Sequence, residues 1–162
     1  MRRLRAVIPP GSSVLDFGGA DVNGSYRPLF ADCHYTSLDY EGADINVTGR
    51  DWPIADGAFD AVISGQALEH DEFFWVTMQN VARVLRPGGH AILIVPSAGP
   101  IHRYPVDCYR FYPDSMAALA QWAQLELLQV ATDDSCQWRD VAGVFRKPLN
   151  GDETQAPPPA PA

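Results

Sequence analysis

The densest chemistry in this chain lies between residues 96 and 112, where His102, Asp107 and Arg110 stand among tyrosines. A histidine titrates near neutrality, so His102 is the natural group to take a proton from an attacking oxygen or nitrogen. Asp107 can orient that ring or take the proton itself. Arg110 can hold an acidic substrate with its two-pronged guanidinium, or brace Asp107 as an ion pair three residues away. Tyr104, Tyr109 and Tyr112 are expected to form an aromatic wall or to fill core. A metal site drawn from His70, His102 and Asp107 lacks recognisable ligand spacing, and none is expected.

A second set of residues is suited to holding a ligand. The apolar run Val14–Phe17 contains Asp16 and leads into Gly18-Gly19, and a second run, Tyr35–Leu38, ends at Asp39. An acid and a glycine turn after one strand, with an acid after the next, is how open α/β sheets hold a nucleoside-bearing cofactor. Asp21 follows the glycines and would repel a pyrophosphate, which argues against a nicotinamide dinucleotide. Asp60, at the start of a later strand, reads as structural. Pro87-Gly88-Gly89 reads as a helix stop and turn.

These groups need a frame. Strands are expected at Ser13–Phe17, Tyr35–Asp39, Asp44–Val47, Phe59–Ser64, His90–Val95, Leu125–Thr132 and Val141–Phe145. Helices are expected at Val22–Ala31 (short and poorly marked), Asp71–Leu85 and Pro113–Ala123. Phe74, Met78, Val81 and Leu85 recur at helical spacing in the second of these. The early βα alternation and late hairpin predict an α/β fold: a doubly wound, mostly parallel seven-stranded sheet with an antiparallel C-terminal edge. In such a sheet the ligand lies beyond the carboxyl ends of the strands, so the loop after the fifth strand overhangs the site.

The chain has 162 residues, 46% of them hydrophobic, which suits one core. We expect a short segment at 1–12, one domain at 13–147 and a Pro/Ala-rich tail at 148–162. The formal net charge is −8, which disfavours nucleic acid as a partner. Three cysteines at irregular spacing form no disulfide framework and suit a reducing cytoplasm. No apolar run suggests a leader or membrane span.

The segments VLDFGGADVNGSY, YTSLDY, WPIADGAFDAVISGQALEH and VARVLRPGGHAILIVPS, in that order, resemble class I S-adenosylmethionine (SAM)-dependent methyltransferases of the small single-domain type. The resemblance spans about residues 12–147 and implies a Rossmann-like fold and SAM as cofactor. It implies that Asp16, Gly18, Gly19 and Ala20 wrap the methionine part, although Ala20 replaces the usual third glycine. Asp39, followed by Tyr40, matches the ribose-binding acid. Asp51 and Trp52 match the adenine segment, with Asp44 as a competing acid. Ser64, Gly65 and Gln66 lie beneath the amino-acid end, and Glu69-His70 matches a common pair nearby. The loop pattern His102, Pro105, Asp107, Arg110, Phe111 also recurs in that family. The expectation is methylation of a small molecule, with O-methylation of a saccharide or natural-product intermediate favoured because His102 offers a base. N-methylation of a small molecule or peptide is the alternative, as is a non-catalytic SAM-binding partner subunit. The first strand begins about a dozen residues in, so no N-terminal cap domain is expected, and a homodimer is a further possibility.

Overall fold

The computed structural model describes residues 1–22 and 24–149. Seven strands form one sheet: β1 Ser13–Phe17, β2 His34–Asp39, β3 Ile45–Asn46, β4 Phe59–Gly65, β5 Leu85–Pro96, β6 Glu126–Asp133 and β7 Asp140–Arg146. Their order is β3-β2-β1-β4-β5-β7-β6. The first five run parallel, and β7 runs antiparallel to both β5 and β6. This is the predicted doubly wound sheet with its antiparallel edge. The order reverses between β1 and β4, which opens a crevice at their carboxyl ends.

Period-two alternation explains the two cores. Leu15, Phe17, Val62, Ala91, Leu93 and Val95 point to one face, where Met78, Val81 and Val84 of α1 (Phe74–Val84) and Met116, Leu119 and Ala120 of α2 (Pro113–Ala123) cover them. Val14, Ala61, Ile63 and Ile92 point to the other. There the cover comes from two short 3-10 turns, Leu4–Val7 and Arg27–Phe30, through Ile8, Phe30, Leu4 and Leu29.

Among the described residues, the second turn is all that forms of the helix expected over Val22–Ala31. Gly24, at φ +108°, and Pro28 punctuate that stretch and leave room for one turn. The Asp71–Leu85 helix starts later than expected, at Phe74. Asp71 stays outside and accepts the Phe73 N–H at 2.9 Å and the Thr77 hydroxyl. α2 matches its expected span: Pro113 opens it, and Gln124 closes it in the left-handed region, its N–H returning to Ala120 and Gln121 carbonyls. β5 begins at Leu85, earlier than expected, because Leu85 pairs with Phe59 before a register shift absorbs the Pro-Gly-Gly stretch.

Asp60 is structural, as expected. It accepts from the Ser13 N–H at 2.8 Å, the Ser13 hydroxyl at 2.7 Å and Arg86 at 2.6 Å, joining the starts of β1, β4 and β5. The expected tail lies, from residue 150 onward, outside the described residues. Among the described residues no helix is long and apolar enough to cross a membrane.

Candidate active site

The carboxyl ends of β1, β2, β4 and β5 meet at one rim. β1 delivers Asp16, which is 3% exposed and accepts the Tyr35 hydroxyl. Burial pushes its carboxyl up to about 7, against the lowering effect of that hydrogen bond. The chain then turns tightly: the Gly18 and Gly19 N–H groups both donate to the Leu38 carbonyl, at 2.9 and 3.3 Å. Gly18 has φ +71°, and a Cβ there would run into the Ala67 methyl. A Cβ on Gly19 would sit 2.6 Å from the Asp16 carbonyl oxygen. Only glycines allow the loop to close this tightly over Asp16.

β2 delivers Asp39, which accepts the Ala20 N–H at 3.1 Å and the Tyr40 N–H at 2.7 Å. Two backbone donors use about half of a carboxylate's acceptor capacity, so the remaining lone pairs can take hydroxyls. Asp39 thus ties the first loop to the second. Asp44 is already engaged, by the Ser37 N–H at 2.9 Å and by Arg27 at 2.5 Å, bonds that hold its carboxyl below the usual range. Asp51 is exposed, while Trp52 is buried and tilted on Phe17 with ring centres 5.6 Å apart.

β4 ends in Ser64, Gly65 and Gln66. Ser64 is 1% exposed, and its hydroxyl has no partner among the described residues. Gly65 lies against Tyr26: a Cβ there would be 2.8 Å from two ring carbons. Gln66, at φ +58°, donates from Nε2 to Asp140 at 2.8 Å, so its side chain turns toward the start of β7.

A 3-10 turn, Leu68–His70, follows β4. Glu69 is 0% exposed, and neither carboxylate oxygen has a hydrogen-bond partner among the described residues. Burial pushes its carboxyl up to about 7. The turn is held from above, because the Cys108 and Tyr109 N–H groups donate to the Glu69 backbone carbonyl at 2.7 and 3.3 Å. The loop after β5 is therefore fastened directly over Glu69.

Within that loop Asp107 is the hub. Its side chain is 2% exposed, accepts the His102 N–H at 2.7 Å and takes Arg110 at both oxygens, at 2.6 and 2.8 Å. Arg110 beside it holds this carboxyl well below the usual range. Arg110 also donates to the Pro100 and Tyr109 carbonyls at 2.8 and 2.7 Å. Both its prongs are thus spent inside the loop. His102 lies under Trp138, ring centres 4.4 Å apart, and meets His70 edge-on at 4.8 Å. A cavity of about 290 Å³ opens beside them, lined by Tyr40, Arg50, His70, Glu72, Pro105 and Val106.

The rim therefore gathers both predicted sets, the Asp16–Asp39 loops and the His102–Asp107–Arg110 cluster. Sequence reasoning gave no role to two residues there and read a third only in part. Tyr26 ends the first resemblance segment, but nothing in its spacing assigned it a role. Trp138 sits in a turn that only the reversal of β7 brings to this end. Glu69 was readable as half of an acid–histidine pair, but its complete burial was not.

A family model described as a methyltransferase domain matches residues 25–93. A curated uncharacterized methyltransferase from Mycobacterium sp. (strain JLS) is 29% identical over 103 residues, 52% of this chain and 39% of that protein. One from Mycolicibacterium gilvum (strain PYR-GCK) is 30% identical over 98 residues, 50% of this chain and 38% of that protein. The chain thus spans about two-fifths of the length of these relatives. Among solved structures, a SAM-dependent methyltransferase from Methanosarcina mazei superposes with a TM-score of 0.75 at 13% identity, covering 91% of this chain and 97% of that one. The Burkholderia thailandensis 1,6-didemethyltoxoflavin-N1-methyltransferase, with 1,6-didemethyltoxoflavin and S-adenosylhomocysteine bound, gives 0.72 at 16% identity, covering 90% of this chain and 75% of that one. At such identities the structural likeness concerns the fold.

Proposed function

We propose that the chain is a class I SAM-dependent methyltransferase that transfers the SAM methyl group to a small-molecule acceptor, a reading supported by the methyltransferase-domain match over residues 25–93 and by the curated methyltransferases it resembles. The observation that carries this reading is the rim itself. A closed glycine turn and two acid-bearing strand ends face a polar loop fastened over Glu69.

The residues present fit SAM. Asp39 has lone pairs to spare for ribose hydroxyls, with Tyr40 beside it. Asp51 and Trp52 take the adenine side, a role that suits Asp51 because Asp44 is committed to Ser37 and Arg27. Asp16, Gly18, Gly19 and Ala20 hold the methionine part from β1. Ser64, Gly65 and Gln66 hold it from β4, where the orphaned Ser64 hydroxyl needs a partner. SAM when bound supplies an electrophilic methyl group and a neutral thioether leaving group. The protein's own work is then alignment, exclusion of water and handling of the acceptor's proton.

That proton falls to His102. Asp107 and Arg110 position it, Asp107 being too weak a base at neutral pH to take the proton itself. A base at this place favours an oxygen acceptor such as a saccharide or natural-product hydroxyl. Nitrogen is the second reading, in line with the structurally similar Burkholderia thailandensis protein, described as an N1-methyltransferase of 1,6-didemethyltoxoflavin. A cytoplasmic homodimer completes the proposal, and sedimentation of the purified chain tests the dimer.

Calorimetry tests the core of the reading. SAM and S-adenosylhomocysteine are expected to bind one per chain and NAD not at all; a folded sample that ignores the first two overturns it. Once an acceptor is found, unchanged turnover in His102→Ala would remove the base role.

A further inference from the structure

The Glu69 carboxylate is fully buried, and neither of its oxygens has a partner among the described residues. A buried carboxyl is kept neutral, is paired or binds a metal. Two imidazole nitrogens face this one: Nε2 of His70 and Nε2 of His102 each lie 3.7 Å from Glu69 Oε1. One donor atom from each of the three residues falls within 4.8 Å of the others. Metal–ligand bonds of about 2.0–2.1 Å in a tetrahedral zinc site set its donor atoms about 3.3 Å apart. Small side-chain rotations therefore suffice to close the cluster on one ion.

The outer contacts point the same way. His70 Nδ1 lies 2.6 Å from the Val106 carbonyl oxygen, which can only accept, so Nδ1 carries the proton and Nε2 presents its lone pair. His102 Nδ1 lies 3.4 Å from Asp107 Oδ2, the carboxylate that also accepts the His102 backbone N–H. The carbonyl behind His70 is the support that fixes tautomer and ring direction in metal-ligating histidines, while His102 Nδ1 is held between the Asp107 carboxylate and Arg110 Nη2, which also lies 3.4 Å away.

We propose that Glu69, His70 and His102 form a mononuclear site for a divalent cation of the zinc class. Two imidazoles and one carboxylate suit such an ion and leave coordination positions open. The inference draws on the methyl-transfer reading only for what those positions face, the acceptor side of the rim. With the ion bound His102 serves as a ligand, so the base role given to it above belongs to the metal-free chain and passes to the ion in the loaded one. A coordinated acceptor hydroxyl would lose its proton to solvent, acidified by the ion.

The test uses the full chain, stripped with chelator and titrated with Co(II) as a spectroscopic stand-in for zinc. The expected result is one equivalent per chain, with visible d–d absorption that Zn(II) abolishes. His102→Ala, at a partly exposed position, should lower affinity at least about tenfold, and Asp107→Asn, behind the ligand, roughly 10–100-fold. His70→Ala should act like His102→Ala, and circular dichroism confirms that each variant is folded. Folded wild-type protein that binds no cobalt, or binds it equally well in the His70→Ala/His102→Ala double variant, overturns the proposal. Calorimetry with SAM on the same samples separates the two readings. Wild-type protein that binds SAM but no cobalt sinks only this inference, and wild-type protein that binds cobalt but no SAM sinks only the methyltransferase reading.

Discussion

Asp16 shows how a single side chain can set a pH response. Its carboxyl lies under the glycine turn and is pushed up to about 7 by burial. The folded value is above the unfolded one, so the stability tied to this group is fullest below about pH 4 and drains away as pH rises toward 7. Asp16→Asn should therefore flatten the pH dependence and gain up to about 4 kcal/mol over wild type at pH 8. Denaturant melts of both proteins across pH check this, and parallel curves would refute it. Asp39 plays the opposite part, exposed enough to accept donors from a ligand. Its replacement by alanine should weaken SAM binding by about 10–100-fold, the worth of hydrogen bonds to a charged group, and cost about 1–3 kcal/mol of stability because the Ala20 and Tyr40 N–H groups lose their acceptor. Calorimetry reads both quantities.

The loop after β5 stays in place because Asp107 and Arg110 are paired in a largely buried setting. Arg110→Met strands the carboxylate and should cost about 3–5 kcal/mol. The Asp107→Asn/Arg110→Met double variant should recover much of that, and a double-mutant cycle by chemical denaturation measures the coupling. The turn after β1 is equally exacting: Gly18→Ala meets both a positive φ and the Ala67 methyl. It should lose at least about 1 kcal/mol of stability, together with SAM affinity. Such elements were unevenly legible beforehand. α2 could be placed from Pro113 and its apolar spacing, and the strands from their β-rich runs, because local preference and burial agree there. The stretch from Val22 to Ala31 misled because Gly24 and Pro28 outweigh its few apolar residues. The Asp107–Arg110 pair was visible in its spacing, but its commitment to the loop was not, since that depends on the Pro100 and Tyr109 carbonyls. The meeting of Glu69 with His102 is a tertiary event that no local spacing encodes.

For the molecule as a whole, ligand binding and stability are one measurement. SAM at a hundredfold above its dissociation constant should raise unfolding stability by about 2.7 kcal/mol, and a thermal melt without such a rise would contradict cofactor binding. The net charge of −8 predicts no retention on heparin at moderate salt. The reversed seventh strand has a consequence of another kind. Because β7 runs against its neighbours, the β6–β7 hairpin turns at the same pole as the site, with Trp138 over His102 and Asp140 against Gln66. A parallel strand would instead arrive at that pole only after crossing the whole sheet. The turn from 134 to 139 is thus an interchangeable roof: its length and aromatic content can be rewritten without disturbing any strand pairing. On the methyl-transfer reading proposed above, acceptor choice diverges there while the half of the fold that carries Asp16 and Asp39 stays fixed.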